Sequence, residues 1–210
     1  MSTAVQKSEP EIYLNEVGHQ YFHKSGRELV AVTTAFEKIG ITDFSKVPFD
    51  VIEPARQKGD AVHDIAAYHG LGILDESTVD VSLLGYLEGV KKFFKDEVRK
   101  VIAIEKPVFS LTHGYAGTPD IAYVDKKDLL RIDDYKSALK PHKACRFQTA
   151  AYTYAYEKMY KIKVDRRRGV RFTSDGEYFF DNHDNPLRRD FDDFVTILKA
   201  AILKIQNKIG

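Results

Sequence analysis

The sequence has little of several features that would place it in large classes of protein. Only one of its 210 residues is a cysteine, Cys145, which excludes a disulfide within the chain and any metal site built from several cysteines of one chain. No apolar run approaches the roughly 20 residues of a membrane-spanning helix, and residues 1–10 lack the apolar segment of a secretory signal. Net charge is nearly absent, since 32 basic residues face 31 acidic ones. These absences predict an intracellular, cytoplasmic protein with no membrane association.

What is present is the composition of a globular protein, with 43% hydrophobic and 30% charged residues. We expect a flexible N-terminus over residues 1–10 and a single domain over residues 11–210. The balanced charge does not exclude nucleic acid as a partner, because binding depends on local patches. Basic residues cluster in three places: Lys91, Lys92, Lys95 and Arg99; Lys136, Lys140, Lys143 and Arg146; and Lys161, Lys163, Arg166, Arg167 and Arg168.

The apolar pattern predicts an α/β fold with a central mixed β-sheet flanked by helices. Residues 11–40 read as a small β-rich N-terminal elaboration that ends in a short helix. Gly59, inside the next predicted helix, lowers the stability of that helix by about 1 kcal/mol relative to alanine. A glycine there indicates either that another group approaches the helix closely at this point or that packing requires it. The remaining elements are expected as helices over about 49–68 and 79–100, a strand over 101–110, a hairpin within 115–136, a helix over 144–160, strands within 163–173 and 177–180, and a helix beginning near residue 185.

Residues 115–136 combine this predicted hairpin with a group of charged side chains. Asp120 opens the first arm, and Asp134 and Lys136 close the second, on either side of a polar turn at residues 125–128. The start of one antiparallel strand lies beside the end of the next, and residues two apart on a strand share a face. Two carboxylates and an ammonium at one place suit a hard divalent metal and a phosphate. The alternative is a solvated strand end.

Other polar residues are weaker candidates when each is taken alone. Gln148 and Tyr152 are four apart on a predicted helix and therefore share a face. His63 lies on the first long helix, and Glu105 lies on the strand before the hairpin. An isolated residue of each kind is more often an ordinary surface or core residue.

Together these residues resemble a known family. Pro119-Asp120 followed by Asp134-Tyr135-Lys136 resembles the PD-(D/E)XK nuclease motif, and the wider pattern is similar to the RecB-like and phage exonuclease branch. The opening β segment followed by Val32-Thr33-Thr34 also resembles the leader of phage-encoded members. The iron–sulfur cysteines of the CRISPR-associated and AddB-like relatives are missing. In chain order the matching elements are Arg56, Gly59-x-x-x-His63, Glu105, Asp120, Asp134-x-Lys136 and Gln148-x-x-x-Tyr152.

The resemblance implies a restriction-endonuclease-like core and a Mg²⁺- or Mn²⁺-dependent deoxyribonuclease, an exonuclease of DNA recombination, repair or phage DNA processing. Asp120, Asp134, His63 and the carbonyl of Tyr135 would hold the metal. Glu105 would support the site, and Lys136 would position water and stabilise developing charge. The partner is DNA, whose strandedness is not predicted, with a single-strand annealing protein or another recombination protein as a further candidate. The residues expected to contact DNA are Gln148, Tyr152, Arg56, Lys140, Lys143 and Arg146.

Two other functions stay open at this point. The adjacent His63-Asp64 is the centre of HD-type metal phosphohydrolases, which act on nucleotides and need further histidines. His69, His113 and His142 are available for that role. A non-catalytic DNA-binding or assembly protein with a nuclease fold is the other alternative, although the complete motif argues against it. Exo- or endonuclease action, polarity and oligomeric state are not predicted.

Overall fold

The computed structural model describes residues 11–15, 20–42, 47–137, 144–183 and 186–208, and these residues form a mixed α/β structure. The predicted α/β class is therefore confirmed. The helices are α1 (Val32–Lys38), α2 (Phe49–Leu71), α3 (Leu84–Glu97), α4 (Cys145–Tyr160) and α5 (Leu187–Asn207). The strands are β1 (Ile12–Asn15), β2 (Gln20–His23), β3 (Glu28–Ala31), β4 (Val98–Ile104), β5 (Val108–Ser110), β6 (Tyr115–Gly117), β7 (Ile121–Asp125), β8 (Leu130–Lys136), β9 (Arg166–Phe172) and β10 (Tyr178–Asn182).

The strands form two mixed five-stranded sheets. The central sheet has the order β10-β9-β8-β7-β4, and the first sheet has the order β1-β2-β3-β6-β5. The strands predicted within residues 11–40 are present, and they pair with β6 and β5 in a second sheet that was not predicted. Strand β3 pairs in parallel with β6, with Val30 opposite Tyr115, and so joins the N-terminal hairpin strands to the middle of the chain. Strand β6 has three residues, too few for a local pattern to reveal.

Helices cover both faces of the central sheet. Helices α2 and α3 lie on one face, where Phe93 is packed edge-on against Tyr123, Tyr135 and Phe172. Helices α1, α4 and α5 form the other core with part of the first sheet. Helix α5 buries its apolar residues at a spacing of three or four, the pattern of a helix with one buried face. The buried members of that stripe are Phe191, Phe194, Leu198 and Ala201.

The hairpin of β7 and β8 forms as predicted, with Ile121 opposite Asp133. Asp125 fixes its turn, because Oδ1 of this side chain accepts hydrogen bonds from the backbone N–H groups of Lys127 and Leu129 at 2.8 and 2.9 Å. Asp128 takes the left-handed conformation with a φ of 62°. Hydrogen bonds between residues of the turn itself therefore stabilise the hairpin.

Other element boundaries differ from the sequence prediction. The single strand expected over residues 101–110 is two strands in different sheets, because Glu105 adopts a φ of 45° and Pro107 follows it. Helix α3 begins at Leu84 rather than near residue 79, since Asp80 caps a single 3₁₀ turn directly before it. Helix α2 continues through Gly70 to Leu71. Gly72 caps its C-terminus in the left-handed conformation, with a φ of 70°.

No helix among the described residues is long and apolar enough to cross a bilayer. Residues 1–10, for which a flexible N-terminus was expected, lie outside the described part of the chain.

Candidate functional site

An open cleft of about 600 Å³ lies where the two sheets, α1, α2 and α4 meet. It contains most of the side chains that the sequence singled out. Its lining residues are Tyr21, Val32, Thr33, Thr34, Glu37, Arg56, Asp60, His63, Gly117, Thr118, Asp120, Asp134, Lys136, Gln148 and Tyr152.

The two acids of the motif meet in this cleft. Asp120 directly precedes β7 and Asp134 lies within β8, and the hairpin register places them side by side. The backbone N–H of Tyr135 donates a hydrogen bond to Oδ2 of Asp120, which ties the first acid to the strand of the second. Asp120 is 8% and Asp134 2% exposed. The convergence expected from the hairpin is therefore present.

Each acid of the pair has a cationic partner. Lys136 shares a face of β8 with Asp134, and its Nζ forms an ion pair with Oδ2 of that residue. His63 on α2 places Nδ1 at 3.2 Å from Oδ1 of Asp120. The side chain of Tyr135 points away from the cleft, and its buried ring packs edge-on against the His63 ring with the centroids 6.0 Å apart.

Burial and these charges set the protonation of the group. Burial raises the pKa of Asp134 above its ordinary value, and Lys136 offsets this only in part. Burial also raises the pKa of Asp120, but His63, Lys136 and the N–H of Tyr135 together outweigh burial and leave that pKa below its usual range. Burial lowers the pKa of His63, yet Asp120 more than compensates and brings it to about 9. Burial lowers the pKa of Lys136 as well, but the nearby negative charges, that of Asp134 foremost, leave it above its ordinary value. The cleft is therefore built from two acid–cation pairs.

Carboxylate oxygens are the ligands that a hard divalent cation prefers. In this structure hydrogen bonds and ion pairs hold these carboxylates in place. No group of three or more His, Cys, Asp or Glu side chains among the described residues is arranged to hold a metal ion. However, the 3.2 Å between His63 and Asp120 is close to the separation of about 3.0 Å between neighbouring ligands of an octahedral ion with bonds near 2.1 Å. Carboxylate and imidazole ligands must lose their protons to bind metal. His63 and Asp120 therefore have the spacing of two neighbouring ligands of such an ion, once His63 gives up its proton.

Glu105 lies beside this group without lining the cleft. Its backbone N–H donates a hydrogen bond of 3.1 Å to the carbonyl oxygen of Asp120. Burial raises the pKa of its carboxyl, and the charges of Asp120 and Asp64 raise it further. The positive φ of Glu105 lies at the point where the chain leaves the central sheet for the first sheet. Glu105 is thus placed to support Asp120 through the backbone.

Gln148 and Tyr152 line the cleft from α4, as the sequence predicted. Nε2 of Gln148 donates a hydrogen bond of 3.0 Å to the Tyr152 hydroxyl. The Tyr152 ring lies directly over Gly117, where an added Cβ would stand 2.3 Å from Cε1 of the ring. Gly117 therefore leaves the space that the Tyr152 ring occupies, which a larger residue would fill.

The residues predicted to bind DNA are not all at the cleft. Arg56 lines it, but Glu53 and Asp60 each hold its guanidinium at 2.7 Å. Arg146 is not among the described lining residues; its guanidinium lies over the ring of Phe147, 4.4 Å from the centroid. Lys140 and Lys143 lie outside the described residues.

Several cleft residues were missed by the sequence reasoning. Tyr21 reaches the cleft from the first sheet, and its hydroxyl lies 2.8 Å from Oγ1 of Thr118. Thr118 had a local signal, since it directly precedes the Pro-Asp of the motif. Tyr21 had none, because its placement depends on the pairing of distant strands. Cys145 is not among the described lining residues, but its buried Sγ lies 3.8 Å from Oδ2 of Asp134, a contact that the sequence did not predict.

Neither His69 nor His113, two histidines of the HD-type alternative, is among the described residues that line this cleft. His69 packs edge-on against Phe94 with centroids 5.0 Å apart. His113 packs against Tyr154 and Phe191 at 5.3 and 5.2 Å. His142 lies outside the described residues. His63 therefore meets Asp120 and Asp134 here, and no observation favours the HD-type arrangement.

No model of a known protein family matches this sequence, and no curated protein is significantly similar to it.

Proposed function

We propose that this chain is a metal-dependent deoxyribonuclease of the PD-(D/E)XK type, of the RecB-like and phage exonuclease branch, that hydrolyses phosphodiester bonds. The observation that carries the proposal is the meeting of six residues, distant in sequence, in one open cleft. They are His63, Asp120, Asp134, Lys136, Gln148 and Tyr152. Their order and types are those of the motif, and all six line one cleft of about 600 Å³.

In the proposed mechanism, these side chains bind the metal ion, stabilise charge on the phosphate and hold the metal ligands in position. Asp120, Asp134, His63 and the carbonyl of Tyr135 would hold the ion, which when bound supplies an activated water and neutralises phosphate charge. Lys136 lies against Asp134 and would direct its ammonium at the scissile phosphate, where negative charge develops. Glu105 would hold the Asp120 backbone in place through its N–H.

The charge of the cleft itself supports a need for metal. Among the described lining residues, four acids, Glu37, Asp60, Asp120 and Asp134, face the fixed cations Arg56 and Lys136 and the titratable His63. Both of these fixed cations are already paired with carboxylates. A polyanion therefore gains little attraction from these residues alone, and a divalent ion would supply positive charge.

The direct test is cleavage of DNA with Mg²⁺, Mn²⁺ or EDTA. We expect cleavage with either metal, none with EDTA, and a loss of at least 100-fold in Asp120→Asn and Lys136→Met. The matched controls lie in the turn of the same hairpin, where Asp128→Asn and Lys127→Met make the same chemical changes at exposed positions. Asn also tolerates the positive φ of Asp128. Wild-type protein without activity, or equal activity in the cleft variants, would contradict the proposal.

A second comparison defines the substrate and separates the alternatives. End-labelled linear DNA and a covalently closed circle are incubated with the same protein, and cleavage confined to the linear form identifies an exonuclease. Metal-independent DNA binding without cleavage would favour the non-catalytic alternative. Hydrolysis of free nucleotides without DNA cleavage would favour the HD-type phosphohydrolase.

A further inference from the structure

A second pocket, of about 480 Å³, lies at the other end of α4 from the N-terminal turn that flanks the cleft. Strands β2 and β5 and the second half of α4 form most of its wall. Its lining residues are Glu11, His23, Phe109, Ser110, Leu111, Thr112, Tyr154, Lys158, Met159 and Lys161.

The walls of this second pocket combine flat rings with cations. The His23 ring lies 5.5 Å from the Phe109 ring, and Nζ of Lys158 lies 5.4 Å from the centre of the Tyr154 ring. Lys161 ends α4 in the left-handed conformation with a φ of 56°. Aromatic faces with lysines beside them suit an unpaired nucleotide, since the base stacks on the rings and the phosphate meets the ammonium groups.

The cations of the two pockets differ in their partners. In the cleft, Arg56 and Lys136 are held by carboxylates. In the second pocket, neither Lys158 nor Lys161 forms an ion pair with an acid of the described chain. The only acid among the lining residues described is Glu11, whose carboxylate pairs with Lys24 at 3.3 Å. Phosphate attraction that the cleft lacks is thus available at the second pocket.

Strand β2 connects the second pocket to the cleft. It places Tyr21 in the cleft and His23 in the second pocket. These residues share a face of the strand and are about 6.6 Å apart along it. A DNA strand bound along β2 would therefore bring neighbouring nucleotides to both places.

We propose that the second pocket is a subsite for single-stranded DNA, in which an unpaired base contacts His23 and Phe109 and its phosphate contacts Lys158 and Lys161. The inference rests on the proposed function, because it makes the bound strand a continuation of the strand in the cleft. A paired base cannot enter, since both of its faces are stacked in the duplex. The substrate class is accordingly DNA with a single-stranded segment.

The test is the binding of a fluorescent 12-nucleotide oligothymidylate in EDTA, so that cleavage plays no part. In Lys158→Gln with Lys161→Asn, we expect the Kd to rise roughly 3- to 10-fold at about 0.1 M NaCl and the slope of log K against log salt to fall by about 1.4, or about 0.7 for each lost phosphate contact. Asn is chosen at Lys161 because it tolerates the left-handed conformation. In His23→Ala, we expect a roughly fivefold higher Kd with an unchanged slope at pH 8, because stacking carries no counterion release.

The control is Lys163→Gln, which removes an exposed charge two residues from Lys161 outside the described lining. Equal binding by the double variant and wild type, or an equal loss in Lys163→Gln, would overturn the subsite. Equal affinity for a blunt hairpin duplex and for oligothymidylate would also overturn it. Thermal melting confirms that each variant is folded. The binding assay contains no metal and is therefore independent of the cleavage assay with Mg²⁺ or Mn²⁺. If oligothymidylate binds with this pattern but DNA is not cleaved, the subsite is supported and the nuclease is rejected. If DNA is cleaved but the variants bind like the wild type, the nuclease is supported and the subsite is rejected.

Discussion

At the scale of single residues, Gly117 has a role that its lack of a side chain explains. The Tyr152 ring occupies the space beside it, and Tyr152 in turn accepts the hydrogen bond of Gln148. We expect Gly117→Ala to cost about 1–3 kcal/mol of stability through overpacking and to displace Tyr152 from the cleft. Denaturant unfolding measures the first effect and DNA cleavage the second. Unchanged stability together with unchanged cleavage would show that Tyr152 has room to move.

His183 makes stability depend on pH in a definite direction. Burial and the nearby Arg167 lower the pKa of this histidine to about 4, and its buried Nε2 has no hydrogen-bond partner among the described residues. The unfolded chain, with an ordinary pKa near 6.5, binds a proton that the folded chain does not between these two values. Stability should therefore fall as the pH drops from about 6.5 towards 4.

Urea unfolding at several pH values in this window measures the effect. His183→Gln has no such proton to bind, and we expect its stability to fall less steeply over the same range. A decline as steep as that of the wild type would assign the pH dependence to other groups.

At the scale of elements, glycines in two helices face different neighbours and predict opposite effects. In α3, a Cβ on Gly85 would stand 1.9 Å from the carbonyl oxygen of Ser174, in the turn between β9 and β10. Backbone cannot yield as a side chain does, so we expect Gly85→Ala to cost about 3 kcal/mol. In α2, the described residue that a Cβ on Gly59 would meet is Ser137, whose Oγ would be 3.3 Å away, and that hydroxyl can rotate away.

Gly59→Ala should therefore gain most of the roughly 1 kcal/mol that alanine offers inside a helix. Thermal unfolding of the two variants gives the comparison. Destabilisation by Gly59→Ala would mean that α2 needs this close approach to the strand that carries Lys136.

Elements defined by their own sequence were predictable, and elements defined by distant partners were not. The β7–β8 hairpin has its turn chemistry in Asp125, and α5 has its apolar spacing, so each was found locally. Strand β6 depends on β3, far away in the chain, and no local pattern carries that pairing. The same distinction applies to the cleft residues. Asp134 and Lys136 were predictable because residues two apart on one strand share a face. Tyr21 was not, because its place in the cleft depends on the strand pairing of the first sheet.

At the scale of the whole molecule, the cleft joins the two sheets. The central sheet supplies Asp134 and Lys136, the first sheet supplies Tyr21, and α2 supplies His63. An ion held by His63, Asp120 and Asp134 would thus connect α2 to the hairpin and would bind the folded chain far better than the unfolded one. Ligand binding of this kind raises the stability of the entire fold.

We therefore expect Mn²⁺ to raise the melting temperature of the wild-type protein in proportion to its saturation, by the equivalent of about 2.7 kcal/mol when the free metal is 100 times its Kd. EDTA should reverse the shift. In Asp120→Asn, the first ligand is lost and the neutral amide no longer holds a charged His63, so the shift should shrink sharply. Asp128→Asn should retain it in full, since that residue lies in the turn at the far end of the hairpin. An equal Mn²⁺ shift in both variants would place the ion elsewhere, because the cleft offers no other pair of buried carboxylates among its described lining residues.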